Sequence, residues 1–305
     1  MKARDRVNQV ESNTSAESSV ANGRPAGVLF AGGILDQIVE AKSERLRVLK
    51  ESGGYSVGGS KSHSEPVNKP DHLFAEALSH PGINIIAEIK RRSPSKGIIR
   101  EDFDPIAIAS SYAAAGAAAL SVLTEEDFFG GSLSFLEEIA NRFPSVPILR
   151  KDFIIDEVQL EESKLSGADA VLLITSILEQ RLLSHLIVRA ESLGLDALVE
   201  VHNRAEMERA VDAGARVIGV NNRDLTDFTV SLGTSVKLAS FAPSGAILVT
   251  ESGIASGADV NLLKASGFSA FLIGEHFMRA PDPGSALRAL VADAEAGQAV
   301  HLHQG

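Results

Sequence analysis

Short apolar runs recur along this chain from residue 83 onwards, separated by longer segments that mix polar and apolar residues. The runs end near Glu88, Ser121, Lys151, Leu172, Glu200, Asn221, Glu251 and Gly274. Short apolar runs bounded by turn residues are typical of buried strands. The pattern therefore predicts eight strands.

The segments between the runs have apolar residues at helical spacing, and a turn of small residues precedes several strands. These turns are AGAA at 115–118, SGAD at 166–169, AGAR at 213–216 and SGFS at 266–269. Glycine after the last turn of a helix lets the chain bend sharply into a strand. Strands alternating with helices predict an α/β fold with a parallel sheet, and the even spacing of eight units favours a closed (β/α)8 TIM barrel. An open doubly wound sheet is the alternative, but no strand here is followed by Gly-x-Gly-x-x-Gly.

The chain before the first strand has two parts of different character. Residues 1–33 are polar and without periodicity, so we expect a disordered N-terminal tail. Residues 34–80 are predicted to form an N-terminal helical extension and linker. Apolar spacing predicts helices at 34–49 and 73–78, and a Gly/Ser-rich stretch at 51–70 predicts a loop.

The composition limits the class of protein. With 305 residues and 44% hydrophobic content, residues 34–292 can form a single catalytic barrel domain, followed by a frayed tail at 293–305. A net charge of -11 argues against a nucleic-acid partner, and no apolar segment reaches the roughly 20 residues of a membrane helix. The lack of cysteine excludes disulfides and thiolate metal sites and suits a reducing compartment. We therefore expect a cytoplasmic protein with no membrane partner.

The first strand brings a carboxylate and an ammonium group two residues apart, at Glu88 and Lys90. Residues two apart in a strand point to the same side, so these charges share a face. A single pair of this kind is most simply a structural ion pair, because burying charge is costly unless it is paired or used. Later strands end in polar residues of the same kind: Lys151, Glu200, Asn221, Arg223 and Glu251.

These polar ends meet at one rim if the strands form a barrel, and barrel active sites lie at that rim. A purely structural network of so many charges would cost desolvation and add little stability. Such clusters instead push pKa values apart, as acid–base catalysis requires. We expect Lys90, Arg223 and burial to lower the pKa of Lys151, making it a general acid, and burial to raise the pKa of Glu200, making it a base.

The last two strands carry a different signal. Gly253 and Gly274 follow strands seven and eight, where barrel enzymes commonly bind phosphate through backbone N–H groups. Each is an ordinary glycine turn when taken alone, but the paired placement favours an anionic ligand. Metal binding is not expected, since His185, His202 and His276 lack partners at metal-ligand spacing.

Taken in order, these segments resemble the indole-3-glycerol-phosphate synthase family, barrel enzymes of tryptophan biosynthesis. The matching segments are IAEIKRRSPSKG at 86–97, SVLTEE at 121–126, LRKDF at 149–153, VLLI at 171–174, LVEVH at 198–202, IGVNNRDL at 218–225, VTESGI at 249–254 and FLIG at 271–274. The family converts 1-(2-carboxyphenylamino)-1-deoxyribulose 5-phosphate to indole-3-glycerol phosphate, releasing carbon dioxide and water. The resemblance implies no metal and no organic cofactor.

The resemblance also implies roles for the residues at the rim. Lys151 resembles the general acid of ring closure, and Glu200 the base of the later dehydration. Lys90 is similar to the lysine that engages the substrate carboxylate, with Glu88 orienting the lysines. Which lysine donates which proton stays open.

The other implied site residues fall into three groups. Asn221 and Glu251 complete the polar wall, and Arg223 positions the substrate. Phosphate would lie against Ser93, Ser252, Gly253, Gly274 and Glu275, and the anthranilate ring against Phe129, Phe153 and Leu172. Many relatives have serine in place of Glu275, whose carboxylate would repel phosphate, so we expect only its backbone N–H to face the ligand.

Two other functions fit the same rim. One is a phosphoribosyl-type isomerase or aldolase on a phosphate-binding barrel, and the other is a barrel that only binds or assembles. A small phosphorylated substrate is the expected partner, and the expected assembly is a monomer or weak homo-oligomer.

Overall fold

Eight parallel strands close into a barrel in the computed structural model, which describes residues 24–51, 69–224 and 227–302. The strands are β1 (Asn84–Ile89), β2 (Ala119–Leu123), β3 (Ile148–Lys151), β4 (Ala170–Ile174), β5 (Asp196–Val201), β6 (Val217–Asn221), β7 (Ile247–Glu251) and β8 (Ala270–Ile273). β1 pairs in parallel with both β2 and β8, which closes the ring. The predicted barrel is confirmed, and the open sheet is excluded.

Helices connect the strands and cover the barrel. They are α1 (Gly33–Glu51), α2 (Leu73–Leu78), α3 (Pro105–Ala114), α4 (Leu133–Arg142), α5 (Val158–Leu165), α6 (Gln180–Ser192), α7 (Arg204–Asp212), α8 (Gly233–Ala239), α9 (Gly257–Ala265), α10 (Glu275–Met278) and α11 (Pro283–Leu302). Local sequence sets several starts: Asp104 caps α3 before a proline at its first position, and Ser256 and Asp259 form a capping box on α9.

The strand register places the polar strand ends at one level. Asn221 lies opposite Glu251 across β6 and β7, and Lys151 lies opposite Leu123 across β2 and β3. The carboxyl ends of all eight strands therefore form one ring, called here the carboxyl rim.

The predicted helix-to-strand turns lie at the opposite end of the barrel. Gly116, Gly167, Gly214 and Gly267 have φ values of 83°, 87°, 86° and 102°, in the left-handed region that glycine enters without steric cost. Any other residue at Gly214 or Gly267 would be strained, so the sequence pattern follows from the backbone.

The predicted helical extension is confirmed at α1 and α2, while residues 52–68 of the predicted loop lie outside the described residues. α1 covers the carboxyl rim and is held there by ion pairs. Lys42 Nζ lies 2.8 Å from Asp152 Oδ1, and Lys50 Nζ lies 2.5 Å from Asp156 Oδ2.

The predicted limits of the two tails differ from the structure. Residues 1–23 lie outside the described residues, but residues 24–32 are packed: Arg24 is buried and bonds Asp36 and Glu40, and Leu29 N–H donates to Ile177 C=O at 2.8 Å. The buried Arg24 has four acceptor atoms in all, since the backbone carbonyls of Leu29 and Asp36 also accept from it, and the polar composition of the segment gives no sign of this.

The C-terminal prediction differs for a similar reason. α11 continues to Leu302 instead of fraying from residue 293. Asp293 accepts from Gly257 N–H at 2.7 Å, and Asn261 donates to the Ala294 carbonyl at 2.9 Å. These contacts with α9 extend the order of the last helix. Within the described ranges, no helix combines the length and apolar character needed to cross a membrane.

Candidate active site

A cavity of about 530 Å³ opens at the carboxyl rim. All fifteen residues that the sequence singled out line it: Glu88, Lys90, Ser93, Phe129, Lys151, Phe153, Leu172, Glu200, Asn221, Arg223, Glu251, Ser252, Gly253, Gly274 and Glu275. Their convergence follows from strand alternation and register, because each polar group stands at or just beyond a strand end.

Lys151 lies at the centre of the cavity floor, between two carboxylates. Its Nζ is 3.0 Å from Glu200 Oε2 and 3.0 Å from Glu251 Oε2. Only 12% of its side chain is exposed, so all three groups interact with little screening by water.

The pKa directions differ from those that the sequence predicted. Burial lowers the pKa of Lys151, but Glu200 and Glu251 outweigh burial and raise it above its ordinary value. Burial raises the pKa of Glu200, but Lys151 and His202 outweigh burial and lower it. The predicted pKa directions for Lys151 and Glu200 are therefore wrong, because the Lys151 ammonium group lies 3.0 Å from each of two carboxylates.

Of the two carboxyl groups beside Lys151, Glu251 is the one with the raised pKa. Burial raises the pKa to about 7, the nearby Glu200 adds to this, and Lys151 opposes it. Its Oε1 is buried without a hydrogen-bond partner. Gly219 on β6 leaves the space that this oxygen occupies, since a β-carbon there would collide with Glu251 Oε1. Near neutral pH both the protonated and the ionised form of Glu251 are therefore accessible.

Glu88 and Lys90 form an ion pair on one side of the cavity, as the strand pattern predicts. A β-carbon at Gly274 would collide with Glu88 Oε1, so this glycine makes room for the pair. The Tyr112 hydroxyl donates to the Glu88 carbonyl at 3.3 Å and supports the strand from behind.

The sequence analysis assigned no role to two residues near the charged groups of the cavity, His202 and Asp152. His202 Nε2 lies 3.3 Å from Glu200 Oε1, although sequence spacing gave this histidine no role. Its place two residues after Glu200 is the same signal that paired Glu88 with Lys90. Asp152, next to Lys151, accepts from Thr124 at 2.6 Å and pairs with Lys42 and Arg150.

The end of the cavity near β7 and β8 has the features of an anion site. Ser252 and Gly253 have φ values of 67° and 84°, so a serine is held in the left-handed region, a strain that clusters at functional sites. The Glu275 carboxylate, at the start of α10, is 2.9 Å from Arg279 Nη2 and 3.7 Å from Arg223 Nη2. The sequence analysis expected the Glu275 side chain to face away from the ligand; in the structure its carboxylate lies between Arg223 and Arg279.

The opposite end of the cavity is apolar. Phe129 and Phe153 lie with ring centroids 6.2 Å apart, near Leu172. α1 adds Ile34, Leu35 and Ile38, which the sequence analysis did not assign to the site. The cavity can therefore hold a molecule with an aromatic end and an anionic end, with proton-transfer groups between them. Among the described residues, no cluster of three or more His, Asp or Glu side chains is arranged to hold a metal.

Solved structures share the barrel. The chain superposes on 3-hexulose-6-phosphate synthase from Salmonella typhimurium with a TM-score of 0.57 and 15% identity, covering 70% of this chain and 99% of that one. KGPDC from Streptococcus mutans gives a TM-score of 0.53 and 16% identity, covering 70% and 97%. At these identities the likeness concerns the fold alone.

The sequence comparisons go further. The family model for indole-3-glycerol phosphate synthase matches residues 35–290. The enzyme of that name from Carboxydothermus hydrogenoformans is 46% identical, covering 85% of this chain and 99% of the relative. The one from Campylobacter jejuni subsp. doylei is 45% identical, covering 85% and 100%. The chain belongs to the indole-3-glycerol phosphate synthase family.

Proposed function

We propose that this chain closes the pyrrole ring of indole-3-glycerol phosphate at the carboxyl rim. The substrate is 1-(2-carboxyphenylamino)-1-deoxyribulose 5-phosphate. The observation that carries the assignment of the site is the position of Lys151, held between Glu200 and Glu251 on the floor of a cavity with one anion-binding end and one apolar end.

Substrate binding uses both ends of the cavity. The phosphate lies against Ser93, Ser252, Gly253, Gly274 and the backbone N–H of Glu275, with Arg223 positioning the chain of the sugar. The aromatic ring packs on Phe129, Phe153 and Leu172, and its carboxylate meets Lys90. Binding at two ends places the ketone over Lys151 and fixes the orientation of the reacting carbons.

Ring closure forms a bond between the ring carbon that bears the carboxylate and the ketone carbon. The ketone oxygen takes a proton from the Lys151 ammonium group and becomes a hydroxyl. The carboxylate then leaves as carbon dioxide, and its bonding electrons restore the aromatic ring. Glu88 holds Lys90 in place for the departing carboxylate.

Dehydration completes the indole. The new hydroxyl takes a second proton from one of the two lysine ammonium groups, Lys90 or Lys151, and leaves as water. Glu200 removes a proton from the neighbouring CH₂ carbon, so that a double bond forms. Asn221 donates to Glu200 Oε1 at 3.2 Å and orients this base. Glu251, with its pKa near 7, returns a proton to Lys151 after the first step.

The enzyme has a single catalytic domain, which includes residues 24–32 and the whole of α11 in addition to the predicted span 34–292. It works in the cytoplasm as a monomer or a weak homo-oligomer. The acidic charge and the lack of cysteine support this setting.

The test replaces the two proton-transfer residues. Lys151→Ala and Glu200→Gln should each lower kcat by about 10²–10⁴-fold, the usual contribution of a general acid or base. Lys50→Ala, on the exposed side of α1, is the matched control and should keep kcat. Product is followed by indole fluorescence, and trapped carbon dioxide separates this reaction from an isomerase. Full activity in both variants would refute these roles.

A further inference from the structure

We propose that His202 is a positioning residue that keeps Glu200 ionised throughout turnover, as a fixed positive charge clamped between Glu200 and Glu206. The inference rests on the proposed role of Glu200 as the base. It concerns a residue that lines neither end of the cavity and that the proposed mechanism does not use.

The imidazole is locked in place from one side by Glu206. His202 Nδ1 lies 3.0 Å from Glu206 Oε2, and the His202 backbone N–H donates to the same oxygen at 2.8 Å. Asn203 in turn donates to Glu206 Oε1 at 2.7 Å and caps α7 by accepting from the Glu206 N–H. The first turn of α7 therefore fixes the ring.

The other ring nitrogen faces the base. His202 Nε2 lies 3.3 Å from Glu200 Oε1, within ion-pair distance, while the Asn221 amide donates to that same oxygen. Only 12% of the His202 side chain is exposed. Nε2 is buried and makes no hydrogen bond, so its interaction with Glu200 is one of charge. A carboxylate near each ring nitrogen stabilises the doubly protonated, positively charged imidazole.

The charged groups around His202 and Glu200 also favour the doubly protonated form of the imidazole. Burial lowers the pKa of His202, but Glu200 and Glu206 outweigh burial and raise the pKa to about 10. Glu200 faces two cations, Lys151 at Oε2 and His202 at Oε1. Glu251 faces Lys151 from β7, and the Glu88 carboxylate acts on Lys151 from β1.

The second cation matters at the moment of proton transfer. Once Lys151 gives its proton to the ketone, it no longer stabilises the Glu200 carboxylate. With His202 still charged, Glu200 remains ionised after Lys151 has lost its proton, so the carboxylate is present when the CH₂ proton has to be removed. Without that charge, Glu200 would compete with the substrate for the first proton.

The kinetic test uses His202→Gln, which keeps a polar side chain and removes the charge. The expected result is a fall in kcat of about tenfold with KM within about twofold, since the substrate does not touch His202. The acid limb of kcat/KM should move to higher pH by about one unit, as expected when a nearby opposite charge is lost. His185→Gln is the control, because His185 forms an exposed pair with Glu157 at 3.2 Å.

A second measurement does not depend on activity. The ring nitrogens of His202 in the intact protein, followed by NMR, should both remain protonated at pH 8, and Glu206→Gln should lower the pKa of that ring. A His202 ring that loses its second proton near the ordinary value of about 6.5 would overturn the proposal. So would an unmoved acid limb in a folded His202→Gln protein. A protein that makes no indole product but keeps the charged ring would instead refute the proposed function.

Discussion

At the scale of single residues, Lys151 is shared between two buried carboxylates, Glu200 and Glu251. Glu200 also faces His202, whereas Lys151 is the only cation that the described residues pair with Glu251. Glu251 therefore holds a proton more readily than Glu200, and burial raises the pKa of Glu251 to about 7 from an ordinary value of 4.5. Ionising the buried Glu251 carboxyl group costs free energy, so the free energy of unfolding should depend on pH.

Glu251→Gln should change how stability depends on pH. A raised carboxyl pKa stabilises the fold fully below pH 4.5, and this contribution is lost as pH rises through about 7. Glutamine cannot ionise, so the stability of the variant relative to the parent should be higher at pH 8 than at pH 5, by about 3 kcal/mol. Urea denaturation at the two pH values measures this difference.

The matched control for this change is Glu138→Gln, at an exposed position on α4. It should shift stability equally at pH 5 and pH 8. An equal shift for Glu251→Gln would show that Glu251 is ionised throughout this range.

Glu275→Ser should improve substrate binding. The carboxylate occupies Arg223 and Arg279, so its loss frees positive charge for the phosphate. We expect KM to fall by up to about fivefold, in keeping with the ~1 kcal/mol limit of partly exposed ion pairs. kcat should be unchanged, and the decrease in KM should be smaller at high salt.

Glu208→Ser breaks a comparable i,i+4 pair with Arg204 on α7 and should leave KM alone. A rise in KM for Glu275→Ser would mean that this carboxylate positions Arg223 for the ligand, and that the repulsion argument is wrong.

Which residues meet was predictable from the sequence, whereas their protonation was not. Strand alternation alone placed Glu88 with Lys90, and the barrel rule placed Lys151 with Glu200 and Glu251. The pKa order depends on distances of a few ångströms between groups from different strands, and sequence spacing does not contain those distances. The contact of His202 with Glu200 was not predicted, because the sequence analysis considered His202 only as a metal ligand. The strand face that it shares with Glu200 was not considered.

At the scale of elements, α1 is joined to the strand that carries Lys151. Lys42 pairs with Asp152, which is almost fully buried and follows β3 directly. Burial raises the pKa of Asp152, but Lys42 and Arg150 outweigh burial and hold it well below its ordinary value. That contribution to stability is present above about pH 4 and is lost as pH falls.

Lys42→Met should destabilise the fold by about 2 kcal/mol at pH 7, since a buried carboxylate loses one of its two cations. Hydrogen exchange in α1 should become faster, and the stability difference should shrink below pH 4. Urea denaturation and exchange measurements test both expectations. Lys50→Met is the control on the same helix, where half of the Lys50 side chain is exposed, and should cost at most about 1 kcal/mol. Equal effects would exclude a special role for the buried pair.

At the scale of the whole molecule, the barrel was predictable because eight apolar runs and their glycine turns repeat one unit. The packing of residues 24–32 and the length of the last helix were not predictable. Arg24 lies in a polar, aperiodic stretch and Asp293 at the start of the predicted frayed tail, and both make contacts with other elements. Composition reports average polarity and cannot reveal a single buried partner.

Truncation tests the N-terminal limit. Removal of residues 2–32 should lower the melting temperature by about 5 °C relative to removal of residues 2–22. The longer deletion removes the Arg24 contacts with Asp36 and Glu40 and the bridge between Val28 and Leu178. Calorimetry measures both, and equal melting temperatures would show that this segment adds no stability.

The turns at Gly214 and Gly267 have one practical consequence. Both lie at the end of the barrel away from the cavity, and neither has another atom near its missing side chain. Peptide tags or fluorescent reporter domains inserted at these two turns would lie at the opposite end of the barrel from the substrate. The far end is thus where the catalyst can be immobilised without slowing it.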